Sequence, residues 1–130
     1  MIYNSHVVWK NKVATPISQI KVGDKIAVLA EDLSIAQAEV KSIIKLFSTS
    51  TVFTLSAGPV IQLATNTTIL SPTGFIFPQR GDLVTCGSDA HRVQRAKESL
   101  TRKAFYDIMI DVDLPVIFQD GYCIKVRVKK

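Results

Sequence analysis

Few side chains in this sequence can do chemistry, and their spacing limits what that chemistry could be. Cys86 and Cys123 are the two cysteines; they form no Cys-x-x-Cys metal pair, and two thiols make no disulfide framework. His6 and His91 are far apart, and no acid or cysteine is spaced with either as a ligand set, so neither a metal nor a cofactor is expected. A Cys–His nucleophile pair would need a thiol and an imidazole to meet in space, which spacing alone does not provide. Each cysteine lies in an apolar run, where it reads as a small buried hydrophobe. Two basic clusters remain, one of Arg92, Arg95, Lys97, Arg102 and Lys103, the other of Lys125, Arg127, Lys129 and Lys130. Clustered cations can neutralise phosphates. No aromatics interleave with them to stack bases. A solvated face and a solubilising tail are therefore expected, with nucleic acid the lesser partner.

These groups must be positioned by a chain of 130 residues that is 47% apolar and 21% charged, with a net charge of +5. That composition excludes a disordered chain, and the length suits one domain, residues 1–130, with a real core. No apolar run approaches the ~18 residues that cross a bilayer. Polar Asn4, Ser5 and His6 interrupt any signal-peptide core. Cytoplasmic synthesis without a membrane partner is the expectation.

The apolar pattern has strand character. Residues 7–9 run into a hairpin turn at Lys10-Asn11-Lys12, and residues 17–20 form a short turn or helical step. Residues 26–30, 36–47, 51–55 and 60–64 read as strands, rich in β-branched side chains. Ser71-Pro72-Thr73-Gly74 marks a hairpin between residues 69–70 and 75–77. Residues 83–86 form another strand, and 105–112, 116–118 and 122–128 form three more. The polar stretch 87–103 reads as the longest loop, with one helical turn around 92–100. About ten short strands make an all-β fold. Gly23-Asp24 and Gly81-Asp82 each stand ahead of an apolar strand, an internal echo that suits two related halves.

Three stretches together resemble the Hint domain shared by inteins and the autoprocessing domain of hedgehog proteins. Residues 15–26, ending Val22-Gly23-Asp24-Lys25-Ile26, resemble its first Gly-Asp block. Residues 61–74 resemble the block that carries a Thr-x-x-His pattern, and Arg80-Gly81-Asp82-Leu83-Val84 resembles its continuation. Residues 105–110 and 118–126, with Tyr106-Asp107 and Gly121, resemble the closing blocks. The blocks occur in order over nearly the whole chain. The resemblance implies a horseshoe-shaped, all-β fold with pseudo-twofold halves, in which 87–103 is the loop where inteins carry insertions.

The resemblance also implies where the reaction would sit. In that family a Cys, Ser or Thr at the first position attacks the preceding carbonyl. Counting back from Gly23 arrives at Met1, which is none of these, and an untruncated chain would have no upstream residue to cleave. Ser5, the nearest hydroxyl, would shorten the first strand and reads as a turn residue. Thr65 matches the block threonine. Thr68 stands where a histidine should protonate the leaving amide. Asp107 matches an aspartate that supports processing in some inteins, and reads as a turn cap or a partner for a nearby lysine. Lys125 and Val126 match the terminal histidine and asparagine. Read this way, Met1, Thr65, Thr68, Asp107, Lys125 and Val126 are vestigial positions. The expectation is then a non-enzymatic, Hint-fold structural or protein-interaction module. It would bind other protein subunits in a phage or viral particle or a similar assembly. An inactivated or truncated self-processing domain is the alternative, and a basic nucleic-acid-binding domain the second.

Overall fold

The computed structural model describes residues 1–129 apart from Ala57 and Pro59. Its first half contains β1 (Ile2–Tyr3), β2 (Val7–Lys10), β3 (Val13–Pro16), β4 (Lys25–Leu29), β5 (Ile35–Leu55) and β6 (Ile61–Ala64). Its second half contains β7 (Ile69–Ser71), β8 (Gly74–Ile76), β9 (Leu83–Cys86), β10 (Asp89–Ile110), β11 (Val116–Ile117), β12 (Cys123–Ile124) and β13 (Arg127–Val128). All thirteen join one sheet system, as the all-β reading expected. The β2–β3 hairpin turns through Asn11 and Lys12, at φ 49° and 67°. Paired positive φ values match the right-handed twist of the flanking strands. The helical step is a single 3-10 turn, Ile17–Gln19.

The internal echo is matched bond for bond. Gly23 and Gly81 adopt φ 95° and 94°. The N–H of Gly23 donates to Val40 O at 2.8 Å, and that of Gly81 donates to Val93 O at 2.8 Å. Val40 N–H returns a bond to Asp24 O at 2.9 Å, and Val93 N–H returns one to Asp82 O at 2.8 Å. Each aspartate then closes its own turn, Asp24 Oδ2 accepting from Lys21 N–H and Asp82 Oδ2 from Gln79 N–H, both at 2.8 Å. Val40 and Val93 are buried, so each turn ties a loop to a core strand. A Cβ at either glycine would meet nothing within 4 Å, and the penalty for a side chain there is backbone strain alone. Gly23→Ala and Gly81→Ala should therefore each cost about 1 kcal/mol. Urea unfolding of the two variants would show it, and sharply unequal losses would mean that the halves are not equivalent.

The spine of the fold is the pairing of β5 with β10, 21 and 22 residues long. Here the sequence reading needs correcting. Residues 36–47 and 51–55 are one continuous strand rather than a pair. Residues 87–103 are not a loop with a helical turn, because all but the first two lie in β10. Most side chains between Gln94 and Lys103 are exposed on both faces, so no apolar alternation marks the strand. Residues 122–128 split into β12 and β13, and among the described residues the strands number thirteen rather than about ten. Pairing with β5 slips between Ser99↔Ser50 and Lys103↔Ser48, which leaves Leu100, Thr101 and Arg102 in a bulge. On its other side, β10 pairs with β9 through Asp89–Arg92, β1 at Phe105–Tyr106 and β13 at Met109–Ile110. Among the described residues no strand covers that side from Gln94 to Lys103.

One core lies inside the curved sheet. Ile2, Val8, Ile26, Val40, Ile108, Phe118, Tyr122 and Ile124 are buried within it, and Phe105 is buried too.

Candidate functional site

Three pieces of the fold converge at one cleft. Strand β1 runs antiparallel to β10 with Ile2 opposite Tyr106, a register that carries Met1 toward Asp107. Strand β6 ends in a tight turn where Asn66 has φ 69° and Thr67 N–H donates to Ala64 O at 3.1 Å. Strand β13 lies parallel to β10 with Arg127 opposite Met109, so the segment before it, Lys125 and Val126, crosses the same place. The result is an open cavity of about 570 Å³ whose lining includes Met1, Thr65, Thr68, Asp107, Lys125 and Val126. All six positions singled out by resemblance meet there. Leu46, Asn66, Thr67 and Arg127 complete the lining.

Four polar side chains of the cavity, those of Thr65, Asp107, Lys125 and Arg127, are engaged within the protein. Thr65 Oγ1 is 2.8 Å from Thr49 Oγ1 and donates to Thr49 O at 3.2 Å, which fixes the turn to β5. Asp107 pairs with Arg127, whose Nε donates to Oδ1 at 3.3 Å and whose Nη2 meets Oδ2. The aspartate side chain is only 12% exposed, so the guanidinium neutralises a mostly buried carboxylate. Its partner is thus an arginine and not a lysine. Sequence reasoning assigned Arg127 to a basic tail and missed this role, although the strand expected over 122–128 contains it. Lys125 points its Nζ over the Phe75 ring, 5.2 Å from the centroid. Met1 contributes a thioether, which carries no exchangeable proton.

The other candidates lie elsewhere. Ser5 is exposed and lines a separate cavity of about 320 Å³ with His6 and Asp120. His6 is buried, stacked on Phe118 at 4.7 Å, with Nε2 3.2 Å from Gln62 O. Burial pushes its pKa below the usual histidine value. Cys86 donates its thiol proton to Asp120 O at 2.9 Å, and Cys123 is buried. Burial pushes the Cys86 thiol up and raises that of Cys123 to about 11, so neither is an activated nucleophile. His91 does not reach a thiol through any hydrogen bond among the described residues. Its Nδ1 is 2.7 Å from the hydroxyl of buried Tyr122. The same residues hold no group of three metal-ligating side chains.

The basic residues are dispersed. Arg95, Lys97, Arg102 and Lys103 stand exposed along the uncovered side of β10. Arg92 is tied down by a 2.6 Å bond from Nη1 to Gly81 O. Lys125 and Arg127 belong to the cavity, and Lys129 follows β13 beside the far end of β10. Lys130 lies outside the described residues.

No protein-family model and no curated protein sequence matches the chain. Solved structures do match, over nearly its full length. The gp41-1 intein is similar with a TM-score of 0.78 at 18% identity, covering 97% of each chain. A bacterial intein-like domain from Clostridium thermocellum gives 0.77 at 17% identity, covering 98% of this chain and 99% of that one. A DnaB intein from Synechocystis gives 0.80 at 10% identity, covering 95% and 96%. The chain has the Hint fold of these proteins, as its sequence blocks implied. These findings correct the expected function: the matching structures named here are inteins and an intein-like domain, and none of them supports a non-catalytic component of a phage or viral particle.

Proposed function

We propose that this chain is an intein-like self-processing domain whose reaction centre has been inactivated by substitution. The carrying observation is the convergence of Met1, Thr65, Thr68, Asp107, Lys125 and Val126 on one cavity. A scaffold that brings six scattered positions together has the layout of a peptide-junction site, and the side chains at those positions decide the chemistry. An acyl shift needs a nucleophile that adds to the preceding carbonyl, loses its proton and expels the amide nitrogen. Methionine has no proton to lose. The expelled nitrogen needs a proton, and the Thr68 hydroxyl does not ionise near neutral pH to relay one. Val126 has no carboxamide to cyclise, and the Lys125 ammonium is turned to Phe75. The Arg127–Asp107 pair occupies the site with matched charges.

The test places the chain between two reporter segments and follows intact mass. The native sequence is expected to stay whole. Met1→Cys combined with Thr68→His is expected to release the upstream segment when a small thiol is added, about a hundredfold or more faster than the native fusion. Release from the native fusion would show that its chemistry survives. A folded double variant that releases nothing would remove the cavity as a processing centre.

A further inference from the structure

Strand β10 is bare along one flank between two sharp limits. At one end Gly81 N–H donates to Val93 O and Val93 N–H donates to Asp82 O, both at 2.8 Å. At the other end Ala104 O accepts from Asn4 N–H at 3.2 Å. Among the described residues nothing pairs with 94–103 on that flank. Within this gap residues 95–99 pair regularly with 54–50 of β5, between register shifts at Gln94 and at residues 100–102. A paired strand turns the N–H and C=O of every second residue away from its partner. The run therefore offers both donors and acceptors to an incoming chain. Its register also sorts the charges. Arg95 stands opposite Thr54, Lys97 opposite Val52 and Lys103 opposite Ser48. Residues directly opposite share a face, as do alternate residues of one strand. Three exposed cations thus line one face of the bare flank, while Glu98, opposite Thr51, lies on the other.

We infer that this flank docks an extended polypeptide segment with an acidic residue at every second position, added as a further strand beside residues 95–99. Backbone pairing supplies the attachment, and the alternating side chains supply the choice of partner. Both observations are needed to name that occupant. The unpaired N–H and C=O groups call for a peptide backbone, since a phosphodiester backbone accepts hydrogen bonds but donates none to the exposed carbonyls. Residues 94–103 also hold no aromatic side chain on which a base would stack. The row of Arg95, Lys97 and Lys103 then calls for carboxylates on one face of the added strand, and Glu98 excludes them from the other. The inference does not depend on the reading of the Met1 cavity.

The test uses the full native chain and a capped peptide of about eight residues that alternates Glu and Thr. The peptide is expected to bind and to slow amide exchange about tenfold or more at alternate residues within 95–99. Arg95→Gln, Lys97→Gln and Lys103→Gln together should weaken binding about tenfold or more. These side chains are exposed, so the variant should fold as the native chain does. A backbone N-methylated peptide of the same charge should not bind, because it lacks the donors for a ladder. No binding of the first peptide, or equal binding of its N-methylated form, would overturn the inference. So would tighter binding of a thymidine oligonucleotide, which would make the flank a nucleic-acid contact. Slowed exchange at 95–99 in a dimer formed without peptide would overturn it in favour of a second copy of this chain.

Discussion

Replacing Phe105 with alanine is expected to cost about 3–5 kcal/mol of stability and to loosen the cavity lined by Met1 and Asp107 in the same step. Phe105 is fully buried, so the truncation leaves a void that the curved sheet cannot easily collapse around. The ring also packs against Tyr3, centroids 5.2 Å apart, at the position where β1 pairs with β10. Strand β1 is only two residues long, and that packing is a large part of what holds Met1 beside Asp107. Urea unfolding gives the stability loss, and amide exchange at Ile2 and Tyr3 gives the local one. A stability loss with unchanged exchange at those two amides would assign the placement of Met1 to other contacts.

Gly58→Ala is expected to cost about 1–3 kcal/mol. A Cβ at Gly58 would stand 2.1 Å from Tyr122 Oη and 3.0 Å from His91 Nδ1. Tyr122 is fully buried and its hydroxyl is bonded to that same nitrogen at 2.7 Å, so the ring has nowhere to retreat. Tyr122→Phe alone loses one hydrogen bond, about 1 kcal/mol, but removes the atom in the way. The double variant should therefore be more stable than the two losses predict, with a coupling above about 1 kcal/mol. Additive losses in a thermal-unfolding cycle would mean that the backbone at Gly58 moves instead of the phenol.

Much of the fold was legible because short-range chemistry dictates it. The two Gly-Asp turns need positive φ and a side-chain acceptor, and both signals are written into adjacent residues. The hairpin at Asn11-Lys12 was legible for the same reason. The six cavity positions were legible through their order along recognisable blocks, although they meet only because β1, β6 and β13 all converge near β10. Strand length was not legible where burial gives no pattern. Residues 94–103 alternate nothing, since the sheet there has solvent on both faces. The Asp107–Arg127 pair and the Tyr122–His91 bond join residues 20 and 31 apart, and no local rule reaches that far.

The uncovered side of β10 has a consequence for how copies of this chain meet. Among the described residues its backbone from Gln94 to Lys103 has a partner on one flank only, which makes it a template that another strand could extend. Arg95, Lys97, Arg102 and Lys103 stand along that strip. A second copy docking edge to edge would bring four cations against four cations with little room for counterions. The bulge at Leu100–Arg102 further breaks the straight run that stacking requires. The residues that read as a grip for phosphate also act as a guard against self-templated growth.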